Sequence, residues 1–229
     1  MAQEVALIVG AGKGLSASLA RLCAKDGMAV AVAARNAEKL APLVKETGAK
    51  AYICDAGEPA QVDKLFADVA RDLGEPDLVV FNASARVRGP VAELDPEAVR
   101  KAIHVTCYAG FLVGRAAAQR MLKRGSGSIQ FTGASASVKG YVNSATFAMG
   151  KFGLRGLAQS MARELAPRNI HVAHFVIDGG IAAEARATDG PPDRWLDPDA
   201  IAQTYLNIHR QHRSAWTWEV ELRPWVENF

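Results

Sequence analysis

The sequence predicts one α/β domain: a three-layer, doubly wound, mostly parallel sheet of about seven strands with helices on both faces. Three observations carry this expectation. Short Val/Ile/Ala/Phe runs recur along the 229 residues, and such runs read as strands buried on both faces. Between them the apolar residues switch to a helical period. The resulting strand–helix–strand spacing suits right-handed crossovers between parallel strands, for which the doubly wound sheet is the leading topology.

The elements follow in order. Residues 5–9 make the first strand, and the turn Gly10-Ala11-Gly12-Lys13-Gly14-Leu15-Ser16 comes directly after it. Leu15, Leu19 and Leu22 then repeat at i, i+4 and i+7, which sets one apolar helix face. Strands are expected at 29–34 and 51–54, and Val62, Leu65, Phe66 and Val69 mark a helix with Pro59 near its start. After a strand at 78–81, Asp95-Pro96 joins an N-cap to a proline at the first helical position. A long helix runs from there towards Arg124 and stops at Gly125-Ser126-Gly127. A strand at 128–131, a second long helix over 144–166 closed by Pro167, and a strand at 171–177 complete the alternation. Residues 179–198, with Asp189-Gly190-Pro191-Pro192-Asp193 as breaker core, read as a loop of the length used for lids. Residues 216–222 alternate apolar and polar and predict a last strand, ended by Pro224. No linker or repeat divides residues 1–229, so a single domain is expected.

Composition excludes several function classes. Apolar residues are 49% and charged residues 22%, ordinary globular usage. The 27 Lys plus Arg against 24 Asp plus Glu give a net +3, and these charges are scattered. Neither nucleic acid nor an anionic membrane is expected as a partner. Cys23, Cys54 and Cys107 lie far apart without a CxxC, so neither a disulfide framework nor a zinc site is expected, and no metal site. No stretch approaches the ~20 apolar residues of a membrane helix, and the run 5–9 reaches Gly10 too soon for a signal peptide. A cytoplasmic location is the expectation. His171 and His174 are expected on opposite strand faces, in packing or surface roles. His209 and His212, beside Arg210 and Arg213, read as a solvated helix end. Trp195, Tyr205, Trp216 and Trp218 are assigned to core, a subunit contact or an apolar pocket wall.

The glycine turn carries the first functional signal. Glycines at 10, 12 and 14 let the backbone bend sharply and approach a diphosphate, whose charge is favoured at the following helix N-terminus. The spacing is GxxxG with Ser16 where a third glycine is usual, but strand, turn and helix stand in the required order. The second strand ends at Ala34-Arg35, where an NAD site commonly carries an acid for the ribose hydroxyls. Arg35 and Lys13 instead suit a 2′-phosphate, so NADP(H) is favoured over NAD(H).

In these residues and those that follow, the chain resembles the short-chain dehydrogenase/reductase family over nearly its whole length. Gly10, Gly14 and Ser16 stand at the family's TGxxxGxG turn, and Asp55 stands where its adenine-contacting aspartate lies. Asn82-Ala83-Ser84 is similar to its NNAG segment, and Asp178-Gly179-Gly180-Ile181 occupies the place of its Pro-Gly turn. The resemblance implies a Rossmann-type nicotinamide site. Gly10, Gly12, Lys13, Gly14, Leu15, Arg35, Asp55, Asn82, Ala83, Lys151, Gly179 and Ile181 would line it, under a substrate lid at 179–198. It also implies a small carbonyl or alcohol substrate and a homodimer or homotetramer.

The family's catalytic Ser, Tyr, Lys and helper Asn carry over only in part. Phe147-Ala148-Met149-Gly150-Lys151 keeps the lysine of YxxxK and replaces the tyrosine. Ala134 stands at the serine position with Ser135 beside it, and Thr106 stands at the asparagine position. Phenylalanine has no proton to give a developing alkoxide, and a general acid is worth about 100- to 10,000-fold in rate. Lys151 retains a ribose-holding role, while Ser135 and Tyr141 are the substitute catalytic candidates. Two functions follow: an NADP(H)-dependent oxidoreductase with an altered proton donor, or a nucleotide-binding protein without turnover that works as a sensor or assembly partner.

Overall fold

The computed structural model describes residues 3–36, 38–183 and 190–227. Seven strands, all parallel, form one sheet in the order β3-β2-β1-β4-β5-β6-β7. They are β1 Val5–Val9, β2 Ala29–Ala34, β3 Lys50–Ile53, β4 Leu78–Phe81, β5 Gly127–Thr132, β6 Ile170–Ile177 and β7 Glu219–Leu222. Among the described residues, seven α-helices cover it: α1 Leu15–Lys25, α2 Ala41–Thr47, α3 Pro59–Asp72, α4 Pro96–Ile103, α5 Ala109–Arg124, α6 Ala145–Leu165 and α7 Pro198–His209.

Alternation along each strand feeds two cores. Val5, Leu7 and Val9 of β1 pack with α3, α5 and α6, whereas Ala6 and Ile8 pack with α1 and α7. β1 is therefore apolar at every position, as a strand covered on both faces must be. The chain winds outward from β1 to β2 and β3, then returns to place β4 on the other side of β1. That reversal opens a crevice beyond the carboxyl ends of β1 and β4, where doubly wound sheets bind ligands.

Three expectations are corrected. The helix from Asp95 to Arg124 is not continuous: α4 and α5 are joined by a π turn at His104–Tyr108. The extra residue carries Thr106 inward, where its hydroxyl accepts from the Ala85 amide (2.9 Å) and donates to the Ala85 carbonyl (3.3 Å). The last strand begins at Glu219 and not at Trp216, because Gln211 exchanges hydrogen bonds with both the amide and the hydroxyl of Thr217 and draws it into a turn. His209 is docked and not solvated. Packing of α7 on α1 brings Arg210 to Glu4 and Asp26, and leaves the His209 side chain 7% exposed. The predicted lid is described at 179–183 and 190–198, and Asp189 lies outside the described residues. Its base is pinned by a bridge between Ile181 and Leu196. No described helix is long and apolar enough to cross a membrane.

Candidate active site

The turn after β1 is shaped by its first glycine. Gly10 has φ +86°, a region L side chains avoid, and a Cβ there would collide with the Ala83 backbone at the end of β4. Ser16 stands in for the expected third glycine as a cross-link. Its hydroxyl donates to the Gly10 carbonyl (3.2 Å) and accepts from Asn82 Nδ2 (2.7 Å), which ties the turn to β4. No side chain caps α1 and its first turn carries no acid. A Cβ built at Gly12 or Gly14 meets nothing within 4 Å, so the turn borders open space. That combination fits a diphosphate. Gly10→Ala is expected to lower stability by about 1–3 kcal/mol and to abolish nucleotide binding, measured by melting and by NADPH fluorescence titration.

Two contiguous cavities share this turn. One, of about 780 Å³, reaches the ends of β2 and β3 and is lined by Lys13, Arg35, Asn36, Lys39 and Asp55, with Asn82 and Ala83 on its floor. Asp55 Oδ1 accepts from the Gly57 amide (3.0 Å), which fixes the carboxylate at the wall. The other, of about 760 Å³, takes in Gly14 and Leu15 and extends over the ends of β5 and β6 to Ser135, Tyr141, Lys151, Gly179 and Ile181. Every residue assigned to the nucleotide or to catalysis from sequence thus lines one cleft. Sequence reasoning missed Lys39, Arg86 and Arg88. The signal for the arginines was the alternation of Ser84, Arg86 and Arg88 after a strand end, which puts all three on one face of an extended segment.

Lys151 lines the second cavity. The side chain is buried, and Nζ donates to the Thr132 carbonyl at 2.6 Å. Thr132 is itself held by the hydroxyl of Tyr205, which donates to its Oγ1 (2.9 Å). Tyr205 is core and not pocket wall: it stacks on Phe175 at 3.5 Å between ring centroids. Burial and then the charge of Arg86 push the Lys151 ammonium down to about 7. Behind it, burial holds His174 down to about 4 against the pull of Glu219, so its imidazole is neutral near pH 7. One helical turn before Lys151, the Phe147 ring lies 5.7 Å from Nζ and carries the Arg86 guanidinium 3.9 Å from its centroid. Ala134 is buried, and the Ser137 hydroxyl is spent accepting from the Ala134 amide (3.1 Å). Thr106 fills the space above Gly150, where a Cβ would lie 2.9 Å from Thr106 Cβ. Among the described residues no cluster suits a metal ion.

The sequence profile described as short chain dehydrogenase matches residues 4–191. The chain belongs to the short-chain dehydrogenase family. A cis-4-hydroxycyclohexanecarboxylate dehydrogenase of Sinomonas cyclohexanicum is 30% identical over 217 residues, covering 88% of this chain and 87% of that protein. The crystal structure of a short-chain dehydrogenase from Rhodopseudomonas palustris is 39% identical, with a TM-score of 0.85 over 97% of this chain and 99% of that one. An actinorhodin polyketide ketoreductase variant solved with NADPH is 25% identical, with a TM-score of 0.90 over 100% of both chains. The seven-stranded parallel sheet and single Rossmann-type domain are those of the family.

Proposed function

We propose that the protein is an NADP(H)-dependent oxidoreductase that interconverts a small carbonyl compound and its alcohol, with Lys151 as the proton-transfer group. The observation that carries this reading is the cleft itself. It joins a phosphate-ready glycine turn and three cations (Lys13, Arg35, Lys39) at one end to a buried lysine near its neutral point at the other. The likeness to dehydrogenases and to a ketoreductase solved with NADPH supports it. A nicotinamide dinucleotide, when bound, supplies or accepts the hydride.

The chain's own residues do the rest. Gly10 to Ser16 and the first turn of α1 receive the diphosphate, Lys13, Arg35 and Lys39 a 2′-phosphate, and Asp55 the adenine end. Gly179 and Ile181, fixed by the bridge to Leu196, border the nicotinamide end. Reduction leaves a developing alkoxide that takes a proton from the Lys151 ammonium; oxidation returns it to the amine. Ser135 and Tyr141 line the same cleft as polar walls. The exposed Tyr108, Phe111, Met149 and Phe152 support a homo-oligomer.

Arg35→Ala tests the nucleotide reading. NADPH affinity is expected to fall about 10- to 100-fold, the worth of a charge-assisted hydrogen bond, with NADH affinity nearly unchanged. Equal losses for both would remove the 2′-phosphate argument. The competing reading, a nucleotide binder without turnover, is favoured by Phe147, Ala134 and Thr106, and substitution of Phe147 and Ala134 decides it.

A further inference from the structure

We propose that His104 is a positioning residue for the adenosine half of the dinucleotide, acting through the carbonyl of Gly57. It works within the nucleotide cleft of the oxidoreductase reading, on which this assignment rests. The first cavity is walled by Asp55, Ala56 and Gly57 from the turn after β3, and by Val105 and Ala109 from the π turn and the start of α5. The half-buried His104 imidazole stands behind that wall. Its Nε2 lies 2.9 Å from the Gly57 carbonyl oxygen. A carbonyl only accepts, so Nε2 carries the hydrogen and donates it. Gly57 makes the contact possible: a Cβ built there would lie 2.6 Å from Nε2 and 2.7 Å from Cδ2 of the ring. The imidazole thus rests directly on the backbone of the turn.

The other bonds of the turn are local. The Gly57 amide donates to Asp55 Oδ1 (3.0 Å), the Asp55 amide to Gln61 Oε1 (2.8 Å) and the Glu58 amide to the Asp55 carbonyl (3.0 Å). They give the turn its shape and aim the Asp55 carboxylate. The bond from His104, 47 residues along the chain, sets where that shape stands against the opposite wall. The ring is itself held: Tyr108 packs on it at 4.9 Å between centroids. Two residues beyond it, the buried Thr106 clasps the amide and the carbonyl of Ala85. One widened helical turn therefore braces the adenosine wall through His104 and the segment after β4 through Thr106. A wall braced before the ligand arrives costs no ordering at the moment of binding, which is preorganisation. Without the His104 donor, the Asp55 turn must be ordered by the nucleotide, and affinity falls at that end.

The test titrates the full chain with two probes, NADPH and its adenosine half, adenosine 2′,5′-bisphosphate, well below the melting temperature. His104→Phe keeps a ring and drops the donor, whereas His104→Gln keeps a donor of similar reach. His104→Phe is expected to weaken both probes by the same factor, about 10-fold, the worth of one hydrogen bond. His104→Gln should restore most of that loss, which a ring needed only for packing would not show. If the phenylalanine protein does not fold, His104→Asn, an amide too short to reach Gly57, replaces it with the same expectations. The proposal is overturned if the donor-less protein binds the adenosine bisphosphate as native protein does, if NADPH alone is weakened, or if glutamine restores nothing. Native protein that binds neither probe sinks the oxidoreductase reading together with this assignment. Native protein that binds both, with substituted proteins that bind equally well, sinks only the role of His104.

Discussion

Lys151→Met is expected to lower kcat/KM about 100- to 10,000-fold, the usual worth of a general acid, and at the same time to raise the melting temperature below pH 7. The two effects share one cause. The lysine is buried, and burial together with the charge of Arg86 has pushed its ammonium down to about 7 from an ordinary value near 10.5. The folded state therefore binds fewer protons than the unfolded chain between those two values. Stability contributed through this group is full above the unfolded value and is lost as pH falls through about 7. Each unit of displacement is worth about 1.4 kcal/mol, so the native protein carries a penalty of a few kcal/mol at pH 6. Methionine removes it, at the smaller expense of the hydrogen bond to Thr132. The pH profile of turnover has its own sign. Carbonyl reduction needs the ammonium and should decline above about pH 7, while alcohol oxidation needs the amine and should rise there. His174 does not blur this window, because burial keeps its titration near 4; among the described residues, Arg86, Arg88, Asp178 and Glu227 are the other charged groups lining the second cavity. Melting curves and pH–rate profiles on both proteins check the pair of effects. A variant that retains full turnover removes the lysine from the chemistry.

The parts of this protein that were legible in the sequence are those set by neighbours along the chain. The strands betray themselves because two-sided burial forces runs such as Val5–Val9. The nucleotide turn does so because Gly10 must hold a positive φ beside another backbone. Strand ends shifted by about one residue, as at Lys50–Ile53, because the last ladder bond depends on the partner strand and not on the residue's own preference. What stayed hidden depended on contacts distant in sequence. Lys39 reaches the first cavity only through the turn after β2. The π turn at His104–Tyr108 is invisible to propensity, since it exists to let Thr106 clasp Ala85, 21 residues away. His209 looked solvated because nothing nearby in the sequence reveals Glu4 or the docking of α7 on α1.

The same long-range logic explains how the site accommodates Phe147, where the family resemblance implies a tyrosine. Phe147 keeps the ring, the ring keeps Arg86 flat, and Gly150 keeps room for Thr106, so the changes at these positions fit one another. Phe147→Tyr is therefore expected to fold normally, since the added hydroxyl extends from a side chain that already lines the cleft. It brings a second proton donor one helical turn from the Lys151 ammonium, a cation that favours ionised phenol and so a more acidic one. Ala134→Ser added to it supplies a hydroxyl partner at the position where the resemblance implies a serine. If Lys151 already moves the proton, Phe147→Tyr should raise turnover modestly and shift the pH profile, because two acids then compete for one alkoxide. If native protein is inert and the substituted proteins gain about 100-fold or more, the chain is a nucleotide binder whose cleft lost its chemistry. Parallel progress curves for native protein, Phe147→Tyr and the Ala134→Ser/Phe147→Tyr pair, on a panel of small carbonyl compounds with NADPH, separate these outcomes. Lys151 then has either a proton to give or only a ribose to hold.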